Sequence, residues 1–440
     1  MANILDYAVL GGGWTGVLIA KSIKQKHPNA SVSIIEAASK ENLGGLLNSV
    51  VVDGFTYDTG GPHMLFSKND GTLKQILRLL GETARRGERH NFVRFRNDFI
   101  PYPFENGMYK LDSRTRVKIG KGIIDNMLRM KGDPSWAPKD FSEWVYGFFG
   151  EEMANTYLLP YNKKVWKRDL KDIDADWVFS PGRLPFPNLN DILLSIAGCP
   201  SIGYKEQYHF YYPKTGGIKS LYNAALNEAE LLGASMITNF KVTEIKKDSG
   251  TWLINGKLRA KNIISTIPIP YLVTSLDAPE DIKKLADGLD YNRVVVCGLA
   301  LDLKAPDQHA IFVPDERIPF HRYTWMSNLT TNTPKDKSNL IVETTVQKGK
   351  HYSSEEILAK SIKGLIEIGA IKDEKQIMHA RYWVNEFGYP IYTKGHNEVR
   401  RKIFDYLKSV GITSIGRWGS WHYWNSDKVL DAVIEMDRML

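Results

Sequence analysis

Residues 4–36 read ILDYAVLGGGWTGVLIAKSIKQKHPNASVSIIE. The run at 4–10 has the apolar character of a buried strand, 14–26 carries apolar residues at helical spacing, and 31–36 forms a second strand, so the segment is a βαβ unit. The turn joining strand to helix, Gly11-Gly12-Gly13-Trp14-Thr15-Gly16, is GxGxxG in the context that gives the pattern its meaning. Gly11 permits the tight turn, Gly13 lets a pyrophosphate approach the backbone, and Gly16 allows close packing of helix on strand. Glu36 follows Gly16 by 20 residues, at the end of the second strand, where a carboxylate accepts hydrogen bonds from ribose hydroxyls. An acid there suits a free 2′-hydroxyl and repels the 2′-phosphate of NADP, which leaves FAD or NAD.

The next segment separates these two. Residues 43–67 contain Gly44-Gly45, then Asp58, then Gly60-Gly61-Pro62-His63. Paired glycines let backbone amides approach a phosphate or a flat ring without a Cβ in the way. Glu36-Ala37, Gly44-Gly45 and the DTGGPH of 58–63 resemble the flavin-binding start of the FAD proteins that include amine oxidases, protoporphyrinogen oxidases and UDP-galactopyranose mutases. The resemblance implies FAD.

Outward from this start, residues 70–205 place apolar residues at helical spacing between Pro-rich turns, as in a helical insertion. Around 204–270 the pattern returns to strands, with MITNFKVTEIKKD read as one of them, and 293–347 alternates as in a mixed sheet. A strand and a terminal helix close the chain. The expected fold is α/β: a discontinuous Rossmann-like FAD-binding domain (1–69, 206–268, 385–440), a mainly helical insertion (70–205) and a mixed-sheet substrate domain (269–384).

Composition excludes several classes. With 440 residues, 43% hydrophobic and 25% charged, the chain is globular and long enough for more than one packing unit. Lys plus Arg number 58 against 50 Asp plus Glu, a net +8 without a dense basic run, so nucleic acid is not implied and an anionic small substrate fits as well. Cys199 and Cys297 are 98 residues apart with no metal-ligand spacing, and read as two buried or half-buried thiols with no zinc site. Neither a cleavable leader nor an apolar run of membrane-spanning length is apparent, and the expected location is cytoplasmic.

Three segments are rich in aromatic and cationic residues: 159–166 with 181–188, 319–323, and 388–390 with 416–425. Arginines and tyrosines converging on a flavin make a site for a diphosphate and a planar base, through guanidinium forks and stacking. The same residues also fit core aromatics and salt-bridged arginines. Their order, PYNKKVW (160–166), Arg183, PFHR (319–322), GYP (388–390) and GRWGSWHY (416–423), resembles the UDP-galactopyranose mutase family along nearly the whole chain. That resemblance implies that Arg183 and Arg322 clamp the UDP diphosphate, Trp166 closes over the substrate, Tyr161 and Asn162 lie on the uridine side, and Tyr389 and Tyr423 reach the phosphates. Gly61, Pro62 and His63 would lie at the flavin N5, Val242 would contact the adenine, and Gly416, Arg417 and Asn425 would hold the flavin ring and the sugar. For His63 an ordinary hydrogen-bonded histidine is the competing reading.

The implied reaction interconverts UDP-galactopyranose and UDP-galactofuranose through an adduct of the sugar on N5 of reduced FAD, with an external reductant such as NAD(P)H. The alternative is an amine oxidase or dehydrogenase on the same scaffold. A homo-oligomer is compatible with either. Two departures from the family pattern stand out: Glu105 replaces a glutamine, and 329–334 lacks the further tyrosine of eukaryotic members.

Overall fold

In a computed structural model, which describes residues 4–179, 188–201 and 208–438, the opening segment forms β1 (Leu5–Leu10), α1 (Trp14–Lys26) and β2 (Val32–Ile35). β1 lies between two parallel partners, β2 and the strand Leu258–Ser265, and is therefore buried on both faces: Ala8, Val9 and Leu10 are inaccessible to solvent. Ser235–Ile237 extends the sheet beyond β2, Ile412–Ser414 pairs with Leu258–Ser265, and the hairpin Ile245–Asp248/Thr251–Ile254 closes the other edge. Three distant stretches of chain thus build one sheet. α1 packs on it through Val17, Leu18 and Ile23, and a Cβ on Gly16 would lie 1.9 Å from the Gly11 carbonyl oxygen, so only glycine permits this approach.

The second sheet runs in the order 377–391, 290–301, 338–347, 322–325, 310–312, 92–95, 98–101. It is mixed: Ala310–Phe312 pairs in parallel with Phe92–Phe95, and the other neighbours are antiparallel. Two expectations need correction. The hairpin Phe92–Phe95/Asp98–Pro101 and the strand Ala84–Glu88 interrupt the supposedly helical stretch. Their runs of four or five residues are too short for a period-two signal to outweigh the surrounding helical pattern, and Arg96, at φ 54°, makes the tight turn. MITNFKVTEIKKD, in turn, is broken between Ile237 and Ile245. Helix Phe141–Met153 buries Phe141, Trp144 and Phe149 and packs on Ser113–Gly132, while Leu159–Trp166 lies against the strand Ser338–Gln347 and lines the cleft described below. Both cysteines are free thiols. Cys297 is buried as expected, whereas Cys199 is exposed. No helix among the described residues is long and apolar enough to cross a membrane.

Candidate active site

The loops leaving the C-terminal ends of β1, β2 and Leu258–Ser265 surround a hollow of about 350 Å³ lined by Gly11, Gly13, Trp14, Thr15, Glu36, Gly44, Gly45 and Val242. This is the position at which an open parallel sheet binds ligands. Gly11 has φ 96°, and a Cβ there would strike the Thr266 hydroxyl at 2.5 Å. At Gly13 a Cβ would meet nothing within 4 Å, so the turn faces open space. The first turn of α1 carries no acidic side chain, and its free backbone N–H groups favour an anion there. Glu36 is already oriented: its two carboxylate oxygens accept from the Gly12 N–H at 2.6 Å and the Ala38 N–H at 2.7 Å, with lone pairs left for a ribose.

A second cleft, of about 530 Å³, adjoins this hollow, and His63, Arg417 and Asn425 line both. The His63 Nδ1–H donates to the Gly61 carbonyl at 2.7 Å. Gly61 sits at φ 92°, and Pro62 lines the cleft beside it. Gly416, at φ 95°, approaches Thr15 so closely that a Cβ would lie 2.5 Å from its hydroxyl. Arg417 donates to the carbonyls of Gly388 at 2.7 Å and Trp424 at 3.4 Å, and its guanidinium lies 4.2 Å from the centroid of the Tyr423 ring. Beneath the Gly60–Gly61 turn, Asp58 is fully buried and accepts from Ser49, Tyr212 and the Ile218 N–H; burial raises its pKa to about 6 against the effect of these donors.

In the cleft, Arg322 on the strand Arg322–Trp325 makes a two-pronged ion pair with Glu343, Nε at 2.5 Å and Nη2 at 2.7 Å. Glu343 is 1% exposed. Tyr389 donates to the same carboxylate at 3.3 Å. Burial works against the Arg322 charge, but Glu343 more than offsets it, and the guanidinium stays charged. Tyr389 and Tyr423 face each other at 5.3 Å, with Trp166 edge-on to both at 5.9 and 6.0 Å. Phe104, Tyr157 and Tyr161, which also line the cleft, form a stacked series that meets Phe312 edge-on, a surface suited to a planar base.

The structure thus brings together Tyr161, Asn162, Trp166, Arg322, Tyr389, Tyr423, Asn425, His63 and Arg417 around one cleft. Arg183 lies outside the described residues. Asn162 is engaged within its own helix, donating to the Leu158 carbonyl and accepting from the Trp166 indole, so it orients Trp166 from behind. Among the cleft residues that the sequence reading gave no role are Glu343 and Arg89, and His321, which it quoted only within PFHR (319–322). Glu343 had a signal, a carboxylate inside the apolar strand LIVETTV, where an unpaired charge would be prohibitive. Arg89 was one basic residue among many in RRGERH; burial and, more weakly, Arg322 lower its pKa to about 10, with Tyr102 opposing.

The model of the family described as flavin containing amine oxidoreductase matches residues 15–421. The chain belongs to this family. Among curated relatives of this flavoenzyme, chloroplastic protoporphyrinogen oxidase 1 of Arabidopsis thaliana is 26% identical over 172 residues, 37% of this chain and 31% of the relative. The spinach enzyme of that name is 32% identical over 57 residues, 13% of this chain and 10% of the relative. The chain therefore spans about a third or less of the length of these curated relatives. Among solved structures, reduced UDP-galactopyranose mutase superposes with a TM-score of 0.87 at 23% identity, covering 99% of this chain and 93% of that one. A putative protoporphyrinogen oxidase from Exiguobacterium sp. 255-15 gives 0.74 at 15% identity, with 100% of both chains covered. At these identities the likeness is one of fold. The open face of Gly13, the oriented Glu36 carboxylate and the acid-free helix start fit the dinucleotide of the FAD that this flavoprotein family implies.

Proposed function

We propose that this flavoprotein is a nucleotide-sugar mutase that interconverts UDP-galactopyranose and UDP-galactofuranose. The observation that carries the reading is a cleft, adjoining the dinucleotide hollow, that is lined by the Arg322–Glu343 pair, by Tyr389 and Tyr423, and by a stacked aromatic series. The whole-chain likeness in fold to reduced UDP-galactopyranose mutase supports it. Reduced flavin supplies an electron-pair donor for the anomeric carbon. The chain's own residues do the rest: Arg322, joined by Arg183 if the family resemblance holds, binds the diphosphate and stabilises its charge as the sugar bond breaks. Tyr389 and Tyr423 hydrogen bond the phosphates. Burial holds the Tyr389 and Tyr161 hydroxyls far above their ordinary pKa, so both remain protonated donors. Trp166, with its indole N–H tied to Asn162, forms a dry wall against the sugar.

A second reading, an FAD-dependent oxidoreductase acting on an amine, is favoured by two features: Glu343 already meets the Arg322 charge, and two tyrosine rings stand close together in the cleft. Anaerobic reduction with dithionite followed by chromatography of UDP-galactopyranose incubations separates the two. Furanose product formed only with reduced flavin supports the mutase. Oxygen consumption with amines and no UDP-dependent change in the flavin spectrum supports the oxidoreductase.

A further inference from the structure

His321 precedes Arg322 and lines the same cleft, with 3% of its surface exposed. Its backbone is fully engaged, the N–H donating to the Glu343 carbonyl at 3.1 Å and the carbonyl accepting from Val313 at 2.9 Å. Its ring is not: Nδ1 is buried without a hydrogen-bond partner among the described residues, although the ring stands edge-on to Tyr389 at 6.2 Å. A buried donor or acceptor left unmade costs the fold about 1–3 kcal/mol, and phenylalanine would fill the space without that cost. Three basic side chains stand around it, Arg322, whose charge Glu343 meets, Lys167, and Lys164, whose pKa burial lowers to about 7. Lys164 is fixed against the Val313 and Asp315 carbonyls at 2.8 and 2.6 Å, and burial followed by Arg322, Lys164 and Lys167 keeps the imidazole neutral. A neutral ring whose Nδ1 has no partner in the fold among the described residues, beside Arg322 and Lys164, matches an anionic oxygen supplied by a ligand once that nitrogen carries the ring proton.

We infer that His321 is a ligand-contacting residue whose imidazole N–H donates to a phosphate oxygen of the nucleoside diphosphate bound at Arg322. The inference rests on the nucleotide-sugar reading above and assigns that site a donor beyond its arginines and tyrosines.

The test measures UDP and uridine binding to flavin-loaded wild type, His321→Phe and His321→Gln by titration calorimetry. Phe removes both ring nitrogens at similar volume, whereas Gln restores an N–H. The expected result is UDP binding at least tenfold weaker in His321→Phe, recovery to within about threefold in His321→Gln, and unchanged uridine affinity, flavin content and melting temperature. UDP affinity in His321→Phe within twofold of wild type overturns the inference and leaves the nucleotide reading standing. Equal loss of uridine, UDP and flavin in His321→Phe also overturns it, because that pattern belongs to a packing residue. Wild type that fails to bind UDP overturns the inference together with the reading on which it rests.

Discussion

Two glycines three positions apart, Gly13 and Gly16, divide ligand contact from packing at the scale of single residues. Gly13, at φ −78° with open space where a Cβ would lie, tolerates alanine in the protein itself, so Gly13→Ala is expected to leave the apoprotein melting temperature within a degree or two while flavin occupancy falls sharply. Gly16→Ala places a methyl 1.9 Å from the Gly11 carbonyl oxygen and is expected to lower stability whether or not flavin is bound. Melting curves of apo and loaded forms distinguish these outcomes. The Arg322–Glu343 pair behaves differently again. Arg322→Ala strands a carboxylate that is 1% exposed and is expected to cost about 3–5 kcal/mol, besides at least a tenfold loss of UDP affinity. The double variant Arg322→Met/Glu343→Leu, measured by urea denaturation, is expected to regain most of the stability and none of the binding. Residues of this kind were only half legible in the sequence. Arg322 stood in a recognisable run, whereas its partner lies 21 residues away on a neighbouring strand and meets it only through the register that pairs the two.

At the scale of elements, the C-terminal strand, turn and helix bury three aromatic rings together: Tyr392 stacks on His396 at 4.1 Å and hydrogen bonds His422 at 2.9 Å. His396 opens the helix His396–Val410 and is 1% exposed. Burial, then Arg400, lowers the His396 and His422 pKa values to about 3, and burial, then His90, lowers that of His309 to about 4. Because the folded-state values lie below the ordinary 6.5, the unfolded chain takes up these protons first. The neutral rings contribute full stability above pH 6.5 and lose it as pH falls toward 3. Asp58 acts in the opposite sense: raised to about 6, its carboxylate costs stability above pH 6 and is relieved as pH falls toward 4. With His321 and His379 also depressed and Asp176 and Asp427 also raised, five depressed histidines outweigh three raised aspartates, so stability is expected to fall between pH 6.5 and 4. In His396→Phe, which keeps the stack on Tyr392, the slope of unfolding free energy against pH in that window is expected to shrink by about 1.4 kcal/mol per pH unit, the equivalent of one proton. Chemical denaturation at a series of pH values checks this.

For the whole molecule, the dinucleotide hollow is walled by segments from residues 11–15, 35–47, 240–242, 266–271 and 417–429, so a bound cofactor ties distant stretches of chain together. Removing flavin is therefore expected to lower the melting temperature by several degrees. FAD at a hundred times its dissociation constant should restore about 2.7 kcal/mol, and FMN at the same concentration should not if Glu36 holds the adenosine ribose, as proposed, because FMN lacks it. Differential scanning fluorimetry of the apoprotein with either flavin reads the result.

What the sequence determined by itself was local. β1, α1 and β2, the glycine turn and Glu36 follow from periodicity and spacing within 33 residues, and the structure reproduces the helix at Trp14–Lys26. The aromatic and cationic runs could be singled out but not joined, since a run at 160–166 says nothing of its distance from one at 388–390. Tertiary structure alone decided that Trp166, Tyr389 and Tyr423 share one wall, that Glu343 claims Arg322, and that His321 keeps an unspent ring nitrogen beside them. The reason is physical. Backbone turns are set by the nearest few residues, whereas the charge state and partners of a buried side chain are set by whatever the packing of remote strands brings within a few ångströms.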